Sequence, residues 1–236
     1  MKAVKQPHRI FNDSWALYKK IVEADYMHHQ LLIRLTLQAI EELKNRPGVR
    51  MLDIGCGDAE PVIPIIKKLP VNQYTGYDLS EAVLDKCASN LSGINLEFKL
   101  RQGDMATVID QEVDSFDLIF SSYAIHHLAD DEKLTLLKKI GLLLKQGGLF
   151  IYIDIFRDPG QSLDQYRKDY NDYISQWIGL TAEEKSAVTD HINKFDFPAT
   201  RTNTKNWISQ AGLEEVRFYR ADRSHMFLAL RKAIIN

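Results

Sequence analysis

Cysteine is scarce: Cys56 and Cys87 are the two in 236 residues. They are too few for a disulfide framework and lack the close spacing of metal-binding pairs, so both are expected to stay reduced in a cytoplasmic setting. An excess of either charge is lacking too. Thirty Lys and Arg face 32 Asp and Glu, for a formal net charge of -2. No global field therefore draws the chain to nucleic acid or to an anionic membrane. No apolar run approaches the roughly 18 residues of a membrane span, and the opening "MKAVKQPHRIFNDSW" lacks the apolar stretch of a secretory signal. Internal repeats and low-complexity linkers are absent as well. A soluble, membrane-free protein is expected.

What is present is ample apolar material, 45% of the chain, enough for one sizeable core. From residue 50 onward, short apolar segments alternate with longer helical ones. Strands are predicted at 50–54, 73–77, 95–100, 116–121 and 149–155, with helices at 58–69, 80–90 and 130–144 between them. That order implies a parallel sheet with helices on both faces. Residues 13–45 read as two helices and 160–194 as a polar, aromatic helical insertion. A helix near 203–211 and the segments "EEVRFYR" and "HMFLALR" then predict a closing antiparallel hairpin. A single domain 1–236 results, divided into an N-terminal helical cap (1–48), a cofactor-binding core (49–158), the insertion (159–200) and the closing helix and hairpin (201–236).

The most informative stretch is "MLDIGCGDAE", residues 51–60. A strand that ends in a tight glycine turn and runs into a helix converges backbone N–H groups and the helix dipole on one spot. Glycine also serves ordinary turns, so context decides. Asp78, ending "YTGYD", stands about 20 residues on, where an acid can accept from ribose hydroxyls or simply cap the next helix. In "RQGDM", Asp104 and the apolar Met105 reach the same sheet edge and suit an adenine. A nicotinamide-binding turn is excluded, because Glu60 replaces its third small residue and Asp53 lies inside the motif.

The segments "LDIGCG", "GYDLS", "GDM", "FDLIFSSYAIHHL" and "LLKQGGLFIYID" resemble the class I S-adenosylmethionine-dependent methyltransferases, from about Arg50 to the end. The resemblance implies a Rossmann-like seven-stranded sheet, mostly parallel with a C-terminal antiparallel hairpin, and S-adenosyl-L-methionine as cofactor. By position, Asp53, Gly55 and Gly57 frame the methionine part, with Cys56 as a small packing residue between the glycines. Asp78 with Leu79 holds the ribose, Asp104 and Met105 the adenine. Ser121 and Tyr123 line the wall near the sulfonium, and Tyr26 reaches the cofactor from a lid of N-terminal helices.

Transfer from a sulfonium needs alignment more than a base. His126 and His127 in "SSYAIHHL", together with Tyr123, are the catalytic candidates. A neutral imidazole would take the acceptor's proton, though the pair can equally serve to position its loop. Tyr18 and His29 on the lid and Asp154 and Arg157 after the fifth strand are the substrate-binding candidates; Asp154 can alternatively cap the insertion. No residue is assigned to a metal. The C-terminal third is also similar to the carboxy-S-adenosylmethionine synthases, which supply a cofactor for tRNA tailoring. That family places an arginine in the helix where "TKNWISQAGL" has Trp207, with Arg201 two turns upstream. The expectation is methylation of an O or N atom of a small-molecule acceptor by a monomer or homodimer. The alternatives are that synthase or a tRNA-tailoring enzyme, or a non-catalytic cofactor-binding regulator. A nucleic-acid acceptor would want a basic stripe with interleaved aromatics, for which "LKNRPGVR" is too sparse.

Overall fold

The computed structural model describes residues 15–113 and 115–233. The helical expectation for residues 13 and 14 lies outside them. Seven strands form one sheet: β1 (Val49–Ile54), β2 (Val71–Asp78), β3 (Glu97–Gln102), β4 (Phe116–Ser122), β5 (Leu144–Ile155), β6 (Leu213–Arg220) and β7 (His225–Lys232). Their order is β3-β2-β1-β4-β5-β7-β6. Pairing is parallel up to β5, while β7 runs antiparallel to β5 and β6, which makes the expected closing hairpin.

Period-two alternation divides the core between the two faces of the sheet. Met51, Leu118, Ile151 and Phe227 are buried on one face; Leu52, Ile119, Phe150 and Leu228 are buried on the other. The direction in which successive strands are added across the sheet reverses between β1 and β4, and the carboxyl ends of those parallel strands leave the crevice in which open α/β sheets bind ligands.

Nine helices accompany the sheet among the described residues: α1 (Trp15–Glu23), α2 (His29–Ala39), α3 (Ile63–Lys68), α4 (Glu81–Leu91), α5 (Met105–Val108), α6 (Asp130–Leu143), α7 (Leu163–Ser175), α8 (Ala182–Phe195) and α9 (Arg201–Gln210). Most start on a side chain that accepts from an exposed amide: Ser80 for α4, Asp104 for α5, Ser162 for α7, Thr181 for α8 and Thr200 for α9. The helix expected over 58–69 is broken. Ala59 is left-handed, Glu60–Val62 is a 3-10 turn, and α3 begins only at Ile63, because Pro61 and Pro64 remove donors from its first turns. Strand β5 starts five residues before its expected position at 149, since Leu144 already pairs with Phe116 before a register shift.

The N-terminal helices are tied to the insertion. Tyr26 stacks on Trp177 at 4.5 Å, Tyr173 donates to the Tyr26 carbonyl at 2.9 Å, and Lys20 pairs with Glu184 at 2.5 Å. One close approach fixes α6 against the turn between α9 and β6: a Cβ on Gly141 would lie 2.1 Å from the Ala211 carbonyl oxygen. Gly141→Ala is therefore expected to cost about 1–3 kcal/mol by overpacking. A thermal melt should show a midpoint several degrees lower; an unchanged midpoint would contradict so tight a contact.

Candidate functional site

The glycine turn after β1 is built by its neighbours. Gly55 and Gly57 have φ of 72° and 55°, in the left-handed region that favours glycine. The amides of Gly55 and Cys56 both donate to the Tyr77 carbonyl, at 2.9 and 2.8 Å. A Cβ on Gly55 would lie 2.4 Å from the Ala124 Cβ, so the turn also packs directly on the segment after β4. Asp78 locks the other side, accepting from the Gly57 amide at 3.1 Å and from the Ser80 amide at 2.9 Å.

This turn forms one wall of a cavity of about 1010 Å³, counted with its mouth. Tyr18, His29, Asp53, Gly55, Cys56, Gly57, Asp78, Leu79, Met105, Tyr123 and His127 are all on its walls, joined by Asp58, Val83, Gly103 and Ser122. The cavity is lined with carboxyls that water hardly reaches. Burial raises the Asp53 carboxyl to about 7, against the pull of a 2.7 Å hydrogen bond from the Tyr74 hydroxyl. Burial also raises Asp78, although amides of Ser80 and Gly57 oppose the shift. The Tyr18 hydroxyl is pushed well up by burial and by the nearby Asp58 and Asp78. His29 is lowered to about 4 by burial, and neither ring nitrogen has a hydrogen-bond partner.

A second cavity, about 670 Å³, lies against the first. Tyr18, Tyr123 and His127 line both. Its other walls are apolar, from Leu17, Ile21, Met27, Ile155, Tyr170, Trp177, Val188 and Ile192, apart from His126, His191 and Asp196. Tyr123 has a φ of 53° and its hydroxyl donates to the Met27 carbonyl, tying the N-terminal helices to the end of β4.

A family described as a methyltransferase domain matches residues 51–148, the span that holds the glycine turn and both flanking acids. Demethylmenaquinone methyltransferase of Desulfitobacterium hafniense (strain Y51) is 25% identical over 189 residues, covering 77% of this chain and 72% of that protein. The fold is shared with an S-adenosylmethionine-dependent methyltransferase of Clostridium acetobutylicum ATCC 824, with a TM-score of 0.65 at 13% identity over 95% of this chain and 100% of that one. It is shared too with magnesium protoporphyrin IX methyltransferase of Synechocystis PCC 6803 with bound SAH, with a TM-score of 0.66 at 15% identity over 95% of this chain and 97% of that one. Together these matches support a class I S-adenosylmethionine-dependent methyltransferase. The cavity fits that cofactor: Gly57 leaves open space on its wall, and the buried Asp53 near the end of β1 and the part-buried Asp78 at the end of β2 present carboxyls to it.

Several site residues expected from the sequence of this methyltransferase are placed elsewhere. Ser121 is fully buried and donates to the Ile54 carbonyl at 2.9 Å; strand alternation turns it away, and Ser122 faces the cavity instead. Asp104 caps α5 by accepting from the Ala106 amide at 2.9 Å and does not line the cavity. Tyr26 lines neither cavity, because its ring is committed to Trp177. Asp154 is fully buried and clasps His126, one oxygen 2.5 Å from Nδ1 and the other accepting from the His126 amide at 3.0 Å. Arg157 donates to the carbonyls of Pro198 and Gln161 at 2.7 and 2.8 Å and pins the loop before α9. His126 is no base. Burial alone would lower it, but Asp154 and Asp196 outweigh that and raise it to about 10, so without another cation its ring keeps its proton. Arg201 pairs with Glu215 and stacks at 4.6 Å on Phe218, away from both cavities, so it gives no support to a carboxylate-binding role.

His191 and Asp196 escaped the sequence reading. Val188, His191, Ile192 and Phe195 fall at helical spacing on the face of α8 that packs inward, so a histidine in an apolar stripe was the available signal. Burial lowers His191 to about 4, and the neighbouring His126 and His127 hold Asp196 below the usual carboxylate range despite its burial.

Proposed function

We propose that the first cavity holds S-adenosylmethionine and that the second receives a small-molecule acceptor, methylated at oxygen or nitrogen. The observation that carries this reading is the shared wall of Tyr18, Tyr123 and His127: the two cavities meet at one place, as donor and acceptor must for an in-line displacement. The cofactor supplies a methyl group already activated on a sulfonium. The protein's part is to bind, align and exclude water. The Gly55–Gly57 turn and Asp53 face the methionine end, Asp78 and Leu79 the ribose, and Met105 with Val83 and Gly103 the adenine. The second cavity, apolar but for a few grouped polar side chains, fits an organic acceptor whose heteroatom points at His127, His191 and Asp196. No helix among the described residues is long and apolar enough to cross a membrane, and the two buried free thiols fit a cytoplasmic setting.

Val188 lines the second cavity and not the first, so it separates the two halves of the proposal. After an acceptor is found by screening with S-adenosylmethionine, Val188→Phe is expected to lower kcat/KM for transfer at least tenfold. S-adenosylhomocysteine affinity by calorimetry should stay within about twofold, because one pocket is filled and the other untouched. Equal losses in both would contradict a separate acceptor cavity. Loss of neither would move the acceptor elsewhere.

A further inference from the structure

The polar groups of the second cavity converge on one atom. Asp196 Oδ1 lies 3.2 Å from His127 Nδ1, 3.5 Å from His126 Nε2 and 3.6 Å from His191 Nε2. The oxygen is buried, and all three approaches are longer than the 2.5 Å contact between Asp154 and His126 Nδ1. His126, His127 and Asp196 each offer a ligand atom, all within 4.8 Å of one another.

These separations are informative in magnitude. A nitrogen hydrogen-bonded to a carboxylate sits at about 2.7–2.9 Å. Ligands bound at about 2.0–2.1 Å to one tetrahedral cation lie roughly 3.3–3.4 Å apart along each edge. The three contacts straddle the second value. Asp154 stands behind His126 with an oxygen 2.5 Å from Nδ1, the carboxylate–imidazole arrangement that orients a metal-binding ring and leaves Nε2 facing the centre. Two buried carboxylates with three imidazoles also make an environment whose charge a dication balances. A second histidine and aspartate cluster supplies the contrast. His28 Nε2 and His225 Nδ1 lie 2.9 and 2.8 Å from Asp222 Oδ2, and His225 Nε2 is 2.9 Å from the Tyr170 hydroxyl. That cluster is closed by short hydrogen bonds; the contacts around Asp196 Oδ1 are longer, at 3.2 to 3.6 Å.

We propose that Asp196, His126 and His127 form a three-ligand binding site for a divalent transition cation of the zinc type, facing the second cavity and leaving its fourth position open, with His191 beside Asp196. His127 Nδ1, now 3.1 Å from the Phe195 carbonyl, exchanges that bond for the metal. Resting on the acceptor reading above, the cation takes the acceptor's heteroatom at an open coordination position and acts as a Lewis acid. For a hydroxyl acceptor the O–H proton passes to water. The O–CH3 bond then forms as the CH3–S bond breaks, its electron pair remaining on sulfur.

The test uses the whole protein, stripped with a chelator and titrated with Zn²⁺ by calorimetry and with Co²⁺ by visible absorption. Saturable binding of one zinc per chain, a cobalt spectrum of four- or five-coordinate type, and at least tenfold weaker zinc binding by Asp196→Asn and by His126→Gln are expected. His28→Gln should bind zinc as the parent does. Absence of saturable zinc and cobalt binding by the parent would overturn the site, as would zinc affinity unmoved in Asp196→Asn. If either variant fails to fold, the parent's cobalt spectrum decides, an octahedral spectrum like that of the free ion counting against the site. S-adenosylhomocysteine titrated in parallel keeps the two readings apart: zinc binding without adenosyl-ligand binding sinks the cofactor assignment alone, and the converse sinks the metal site alone.

Discussion

Asp78→Ala should weaken S-adenosylhomocysteine binding about a hundredfold. The carboxylate has two tasks. Its oxygens accept from the Gly57 amide at 3.1 Å and the Ser80 amide at 2.9 Å, which fixes the glycine turn and the entry to α4. From the cavity wall it also faces the place assigned to the ribose hydroxyls. Hydrogen bonds to a charged acceptor contribute roughly 1.5–3 kcal/mol, and an amide left unpaired by truncation costs about 1–3 kcal/mol. Part of that second cost falls on folding in the free protein as well, so about 3 kcal/mol remains for binding, or about two powers of ten. Asp78→Asn, which retains one oxygen, should fall between the two proteins. Calorimetry gives the affinities and a thermal melt the stabilities. A lowered melting point with unchanged affinity would make Asp78 a turn-building residue only and remove it from the ribose site.

Much of this arrangement was legible because it is local. The strand, turn and helix around Gly55 and Gly57 form one unit in sequence, and Asp78 lies at the end of the adjacent strand, so β1 and β2 in parallel register bring Ile54 beside Tyr77 without any distant contact. What depended on a single residue of parity was lost. Ser121 and Ser122 are equally plausible from composition, and the pleat alone decides that the second faces the first cavity. Asp154 illustrates a different limit. Its position at the carboxyl end of β5 was readable, but the register that sets Ser122 opposite Ile153 brings the segment after β4 over it, and the His126 ring and amide take both of its oxygens. Likewise Tyr26 and Arg157 find partners far away in sequence, Trp177 and Pro198, which local pattern does not reveal. Asp196, just beyond α8, reaches His126 and His127 only once the insertion folds back over the sheet edge.

Acidification should destabilise the protein through His29, and the sign can be worked out from its surroundings. The ring is buried against Tyr123, with both nitrogens unpartnered. Burial is the main cause that lowers it to about 4; His225 and His28 push the same way, and Asp25 opposes them. In the unfolded chain the imidazole titrates near 6.5. Between those two values the unfolded state binds more protons than the folded one, so stability is complete above about 6.5 and falls as the pH drops toward 4. At about 1.4 kcal/mol per pH unit, the loss approaches about 3 kcal/mol across the window. His29→Phe keeps an aromatic ring against Tyr123 and has no proton to bind, so its stability measured by urea unfolding at pH 7, 6 and 5 should decline less steeply than the parent's. His191 is lowered to a similar value and titrates in the same window, but it is present in both proteins and cancels in the comparison. Parallel curves would mean that water or a rearranged lid reaches the ring when it protonates, and that His29 is not held neutral by its burial.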